Sequence, residues 1–275
     1  MTTWGLLAST WNWEPTVVAG SALLLLGYLW AVRFRFDGAT AVFGAGVGVM
    51  LFALVSPLDE LGDEYLFSAH MLQHILIDLV APMLFVLGFP AALAARVLAW
   101  RPAAAIERVL GAPAVAWFLG VGTLWVWHLP ALYDETLRSE AVHTFEHLTF
   151  LVTGTIFFWP ALAATGRKAM NPLIAVAYLV LAAVVNSVLG IVFTLSETPF
   201  YAGYLHPEDT LGALTLIRQT WGLDPVADQQ LGGVFMWAIG SLVFLVAIMV
   251  VFVRWYREPD EDAGPGAGAG EEARA

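Results

Sequence analysis

Apolar runs close to twenty residues long recur along this chain, among them PLIAVAYLVLAAVVNSVLGIVFTL at 172–195 and LGGVFMWAIGSLVFLVAIMVVFV at 231–253. Each can cross a hydrocarbon core about 30 Å thick. Lipid offers no hydrogen-bond partners, so every backbone N–H and C=O in such a run must be paired within it, which leaves the α-helix as the structure these runs form. Composition agrees. The chain is 59% hydrophobic and 13% charged, with a mean hydropathy of +0.74, whereas a soluble domain carries about 25% charged residues. The predicted fold is all-α: a polytopic membrane helix bundle forming one domain over residues 1–257.

Seven helices are expected, at roughly 17–33, 39–56, 66–88, 113–128, 142–160, 171–195 and 231–253. Pro57, Pro90, Pro113, Pro130, Pro160, Pro172 and Pro199 stand at or near their boundaries, as residues that lack an N–H and interrupt helices should. Orientation follows from the basic residues of alternate loops. One set holds Arg33, Arg35, Arg96, Arg101, Arg108, Arg167, Lys168, Arg254, Arg257 and Arg274, and the other only Arg138 and Arg218. The N-terminus is therefore predicted outside and the C-terminus in the cytoplasm. Acidic residues lean the other way: Asp59, Glu60, Asp63, Glu64, Asp134, Glu135 and Glu140 fall on outer loops. The first sixteen residues lack a basic n-region and a small-residue cleavage site, so no removable signal peptide is read. Residues 258–275, EPDEDAGPGAGAGEEARA, form an acidic cytoplasmic tail without apolar periodicity, predicted to be disordered.

The net charge of −11 argues against nucleic acid, which is bound through clustered Lys and Arg. With no cysteine, disulfides, thiolate zinc sites, iron–sulfur clusters and a cysteine copper shuttle are excluded.

The chemistry of the chain is concentrated in its histidines. His70 and His74, in SAHMLQHILID, are spaced i, i+4 on one helix face, and His143 and His147, in EAVHTFEHLTF, repeat the spacing. His128 ends the fourth helix in WVWHLP. The third and fifth helices run inward and the fourth outward, so all five histidines are predicted at one outer depth, as metal ligands on three helices. Imidazole nitrogen suits copper, zinc, nickel and iron alike. Asp78, one turn below His74, is placed to orient a ligand histidine from behind, and Glu146 reads as a helix-surface or supporting carboxylate. Met71 points off the His70/His74 face and is assigned to packing. His206 lies on the outer 196–230 loop, within reach of the site but not required by it. Asn186 and Ser187 read as polar glue between helices. Asp228, Gln229 and Gln230 precede Gly232 and Gly233 at the top of the last helix and would close the site from one side.

The segments AHMLQHILIDLVAPMLFVLGFP, WHLPALYDETL and HTFEHLTFLVTGTIFFWP, with WNWEP near the start and DQQLGGVFMW near the end, resemble the CtaG-type cytochrome c oxidase assembly factors of prokaryotes. The resemblance spans about residues 11–255. It implies a seven-helix plasma-membrane protein that helps to equip a haem–copper oxidase with copper, its partner an oxidase subunit or a copper donor protein. Carried over, His70, His74, His128, His143 and His147 are the ligands, and copper as their occupant comes from the resemblance alone. Two alternatives remain open from the residues. His143, Glu146 and His147 spell H-x-x-E-H, a zinc hydrolase pattern in which the Glu is general base, and histidines on facing helices can ligate haem.

Overall fold

The computed structural model describes residues 2–164 and 170–257, and every regular element among them is helical. In chain order these are α1 Thr3–Ser9, α2 Pro15–Ala31, α3 Gly38–Val55, α4 Pro57–Glu64, α5 Phe67–Leu87, α6 Ala91–Leu98, α7 Arg101–Leu110, α8 Pro113–Trp127, α9 Pro130–Thr136, α10 Glu140–Leu162, α11 Pro172–Leu195 and α12 Pro225–Arg257, with short turns at Ala202–Tyr204 and Leu216–Thr220 between the last two. The predicted tail 258–275, with Arg274, and the inner-loop pair Arg167 and Lys168 lie outside the described residues.

Each of the seven predicted segments is a helix, but they are not equally suited to crossing a membrane. Four are long and apolar enough: α3, α5, α11 and α12. A fifth candidate joins α7 to α8 across a bend of 68°, since Gly111 ends one helix and Pro113 starts the next. α2 is apolar but has only 17 residues. α10 has 23 residues, yet its first two turns carry Glu140, His143, Glu146 and His147, which dilute its apolar content. Outward faces are rich in large apolar side chains, among them Leu23, Phe118, Val152, Leu173, Leu181 and Leu242. In water this would be a liability; against lipid tails it is the expected exterior.

One boundary and two loop assignments differ from the sequence expectation for identifiable reasons. The last helix starts at Pro225, six residues early, because Asp224 caps it by accepting from the N–H groups of Val226 and Ala227. Asp228, Gln229 and Gln230 are therefore inside α12 rather than ahead of it. The helices at 57–64 and 130–136 were expected as loops. Both begin with a proline at the first position, where the missing N–H costs nothing and φ is already helical.

α5 is the axis of the bundle: 72% of its span is buried, and it packs against α3, α4, α10 and α12. Over Ile75–Val80 it widens into a π-helical turn. Pro82 is the cause, since its nitrogen cannot bond the carbonyl four residues back, that of Asp78, and its ring crowds that carbonyl. The displaced Asp78 carbonyl is accommodated by Gly154 on α10, where a Cβ would collide with that oxygen and lie 3.0 Å from Pro82 Cγ. This close approach holds α5 and α10, the two histidine-bearing helices, side by side.

Gly154→Ala should therefore lower stability by about 1–3 kcal/mol through overpacking, read as a drop in the thermal midpoint of detergent-purified protein. Gly122→Ala, where a Cβ meets nothing within 4 Å, should be neutral or slightly stabilising. Equal effects at the two positions would refute the contact.

Candidate metal centre

The site grows from two helix starts. α5 begins at Phe67 without a capping side chain of its own. Asp228, reaching over from α12, supplies the cap: its carboxylate accepts from the N–H of Phe67 at 2.7 Å, the N–H of Ser68 at 3.1 Å and the Ser68 hydroxyl at 2.6 Å. Gly232 allows this approach, because a Cβ there would run into the Phe67 ring. α10 begins under the side chain of Ser139. One turn inside each start sit the histidines.

His70 and His74 on α5 have ring centroids 4.1 Å apart, as do His143 and His147 on α10. The pairs face one another, with His70 5.2 Å from His143 and His74 5.4 Å from His147. Glu146 lies among them: its Oε2 is 4.0 Å from His70 Nε2 and 3.8 Å from His74 Nε2. One ligand atom from each of these five buried residues falls within 4.8 Å of all the others, close to the ~4.2 Å between ligands opposite one another across an ion bound at about 2.1 Å. Both ring nitrogens of His70 and His74, the Nε2 atoms of His143 and His147, and both Glu146 oxygens find no hydrogen-bond partner among the described residues. Buried polar atoms are ordinarily paired. With one ligand atom from each of the five residues brought within 4.8 Å of the rest, these nitrogen and carboxylate donors fit copper or zinc.

The sequence-predicted residues divide as follows. His70, His74, His143 and His147 come together, and Glu146 joins them at ligand distance rather than standing behind them. His128, at the end of α8, stays outside this group, its ring 6.2 Å from that of His74. Asp78 is buried, but among the described residues no histidine donates to it. It lines instead a cavity shared with His74 and His128. His206 is exposed. Met71 is fully buried in the core, as assigned, and its sulfur touches His128 Nε2 at 3.3 Å. Ser187 pairs with Ser241 across α11 and α12 at 3.3 Å. Gln229 and Gln230 bind the backbone of Thr198, Phe200 and Ser196, tying down the outer loop.

Several contributors were not singled out in the sequence. Asp63 lies 3.4 Å from His143 Nδ1 and 3.8 Å from His70 Nδ1, so the carboxylate that backs the histidines comes from α4. The pair Asp59 and Asp63 has the same i, i+4 spacing as the histidines, which was the available signal. Tyr133 packs on His70 and pairs with the Tyr204 hydroxyl, which in turn donates to the Gly62 carbonyl. Tyr201 donates to the His128 carbonyl. Together these tyrosines cover the apolar side of the site. The other side opens into a cleft of about 580 Å³ lined by Glu14, Asp59, Glu60, Asp63 and Glu140 and reaching His143 and His147.

This geometry can be set beside known proteins. Residues 25–258 match the family described as cytochrome c oxidase caa3 assembly factor. The chain belongs to that family. Uncharacterized proteins of Mycobacterium bovis and Mycobacterium tuberculosis are 25% identical to it over 279 residues, and one of Mycobacterium leprae is 24% identical over 273. In each case the match covers 91% of this chain but 40% of the relative, so the chain spans well under half the length of the curated relatives it matches. No solved structure matches it significantly.

In the wall of the cleft, the Asp59 carboxyl is pushed up to about 7, chiefly by burial and then by the neighbouring Asp63, against the opposing hydrogen bond from Gln73 at 2.7 Å. The folded state thus keeps a proton that the unfolded chain releases near pH 4. Stability conferred at low pH should fall as pH rises from about 4 to about 7 and level off above that. Asp59→Asn, still able to accept from Gln73, should flatten this slope, its thermal midpoint gaining on wild type across that window in chelator-treated protein. A constant difference between variant and wild type from pH 4.5 to 7.5 would contradict the assignment.

Proposed function

We propose that the chain crosses the bacterial plasma membrane seven times, N-terminus outside, and holds copper at its outer face for insertion into a haem–copper oxidase. The observation that carries this reading is the convergence of His70, His74, His143, His147 and Glu146, in a chain whose family is one of oxidase assembly. Copper here is cargo. The protein's part is to gather it, hold it and give it up to an oxidase subunit, or to receive it from a donor protein, without turning over a substrate.

Three features support the reading. The acidic cleft leading to His143 and His147 raises the local concentration of cations. The compactness of the five-residue group favours a single ion over haem, since a porphyrin between axial histidines would need the space that the other ligands occupy. Glu146, at ligand distance from His70 and His74, is better suited to coordinate than to act as general base on a water, which makes zinc hydrolysis the weaker alternative. The count of seven combines the four long spans α3, α5, α11 and α12 with α2, α8 and α10, and its orientation rests on the loop charges.

Purified wild-type protein exposed to Cu(II) should retain about one equivalent, and a variant with both His70→Ala and His143→Ala at least tenfold less. In cells carrying only the variant, the oxidase should keep its haem spectrum and lose copper. Equal copper in the two proteins, or none in either, would end this reading. Topology is tested separately in this cysteine-free chain. Glu135→Cys should react with a membrane-impermeant maleimide in intact cells, and Ala105→Cys only after permeabilisation. The reverse pattern would invert the orientation.

A further inference from the structure

His128 stands apart from the five-residue group, and its surroundings differ in kind. Its Nδ1 lies 2.7 Å from the Leu124 carbonyl oxygen. A carbonyl only accepts, so Nδ1 carries the ring proton and Nε2 of the neutral imidazole carries a lone pair. Facing Nε2 at 3.3 Å is the Met71 sulfur, which has lone pairs and no proton to give. Two acceptors therefore meet with no hydrogen between them, and both are buried, Met71 at 1% exposure and His128 at 5%. They border a cavity of about 30 Å³ whose wall also includes His74, Asp78 and Met236. That is room for one ion or one water. His74 belongs equally to the five-residue group, so the cavity begins where that group ends.

We propose that Met71 and His128 form a second, soft metal site that takes Cu(I), passed on from the histidine–glutamate group by way of His74. The proposal rests on reading that group as a copper holder and gives it an exit. Thioether sulfur with a neutral imidazole selects monovalent copper, whereas imidazoles with a carboxylate accept divalent ions as well. The ion moves already reduced: one set of coordinate bonds forms as the other breaks, and no electron changes hands. Met71 lies beside His70 in sequence but on another face of α5, which is how one helix can serve both sites.

The test uses the full-length protein in detergent, loaded anaerobically with chelator-buffered Cu(I) and read by X-ray absorption at the copper edge. Wild type should bind two equivalents, with sulfur among the ligands once the second is bound. Met71→Leu conserves volume and removes the sulfur; it should bind one equivalent with no sulfur contribution. His128→Gln should likewise lose the second equivalent. Zinc(II) uptake, which reports on the first group, should be the same in wild type and Met71→Leu. A sulfur contribution undiminished in Met71→Leu would overturn the proposal. Wild-type protein that binds zinc but takes Cu(I) on nitrogen ligands alone would overturn the second site and leave the first standing. Protein that binds neither metal would remove both.

Discussion

Four imidazoles and a carboxylate are packed into the interior of a helix bundle with eight of their polar atoms unanswered by any group of the described residues. A buried donor or acceptor without a partner costs about 1–3 kcal/mol, so together these approach or exceed the about 5–15 kcal/mol by which a folded domain is stable. The rest of the architecture is arranged so that this cluster can exist at all. A bound cation would answer the lone pairs of all five residues at once, and the cost of preparing the site would then return as affinity for its occupant.

The scaffold meets that cost by fixing both histidine helices at their ends and along their length. Asp228 caps α5 from α12, and Gly154 lets α10 close on the π-helical turn that Pro82 forces. Asp63 backs His70 and His143 from α4, and tyrosines from the outer loop seal the apolar flank. Each device joins the site to an element distant in sequence. The clustered histidines and Glu146 are thus held by the same contacts that hold the bundle, and little freedom remains for them to collapse onto one another.

Much of this was legible beforehand, for a physical reason: apolar length and i, i+4 spacing are local signals. The two histidine pairs follow from helical geometry alone, and the seven segments from hydropathy. What could not be read was what crosses between helices. Met71 was correctly placed off the His70/His74 face, but that this face meets His128 depends on how α8 packs. Asp78 was set behind the ligands by counting turns along a regular helix, and the π-helical turn over Ile75–Val80 changes the angle at which it projects. Glu146 was given a supporting role because it adjoins His147; only the approach of α5 brings His70 and His74 to its carboxylate. Asp59 and Asp63 lay in a stretch taken for loop, so their helical spacing went unused.

The central claim is that His70, His74, His143, His147 and Glu146 bind one ion together. The most direct measurement is pulsed electron paramagnetic resonance of the purified protein carrying one equivalent of Cu(II). Coupling to the remote nitrogens of several equatorial imidazoles, reduced in number in His147→Ala, is the predicted result. A spectrum without imidazole nitrogen, or one unchanged by that substitution, would contradict it.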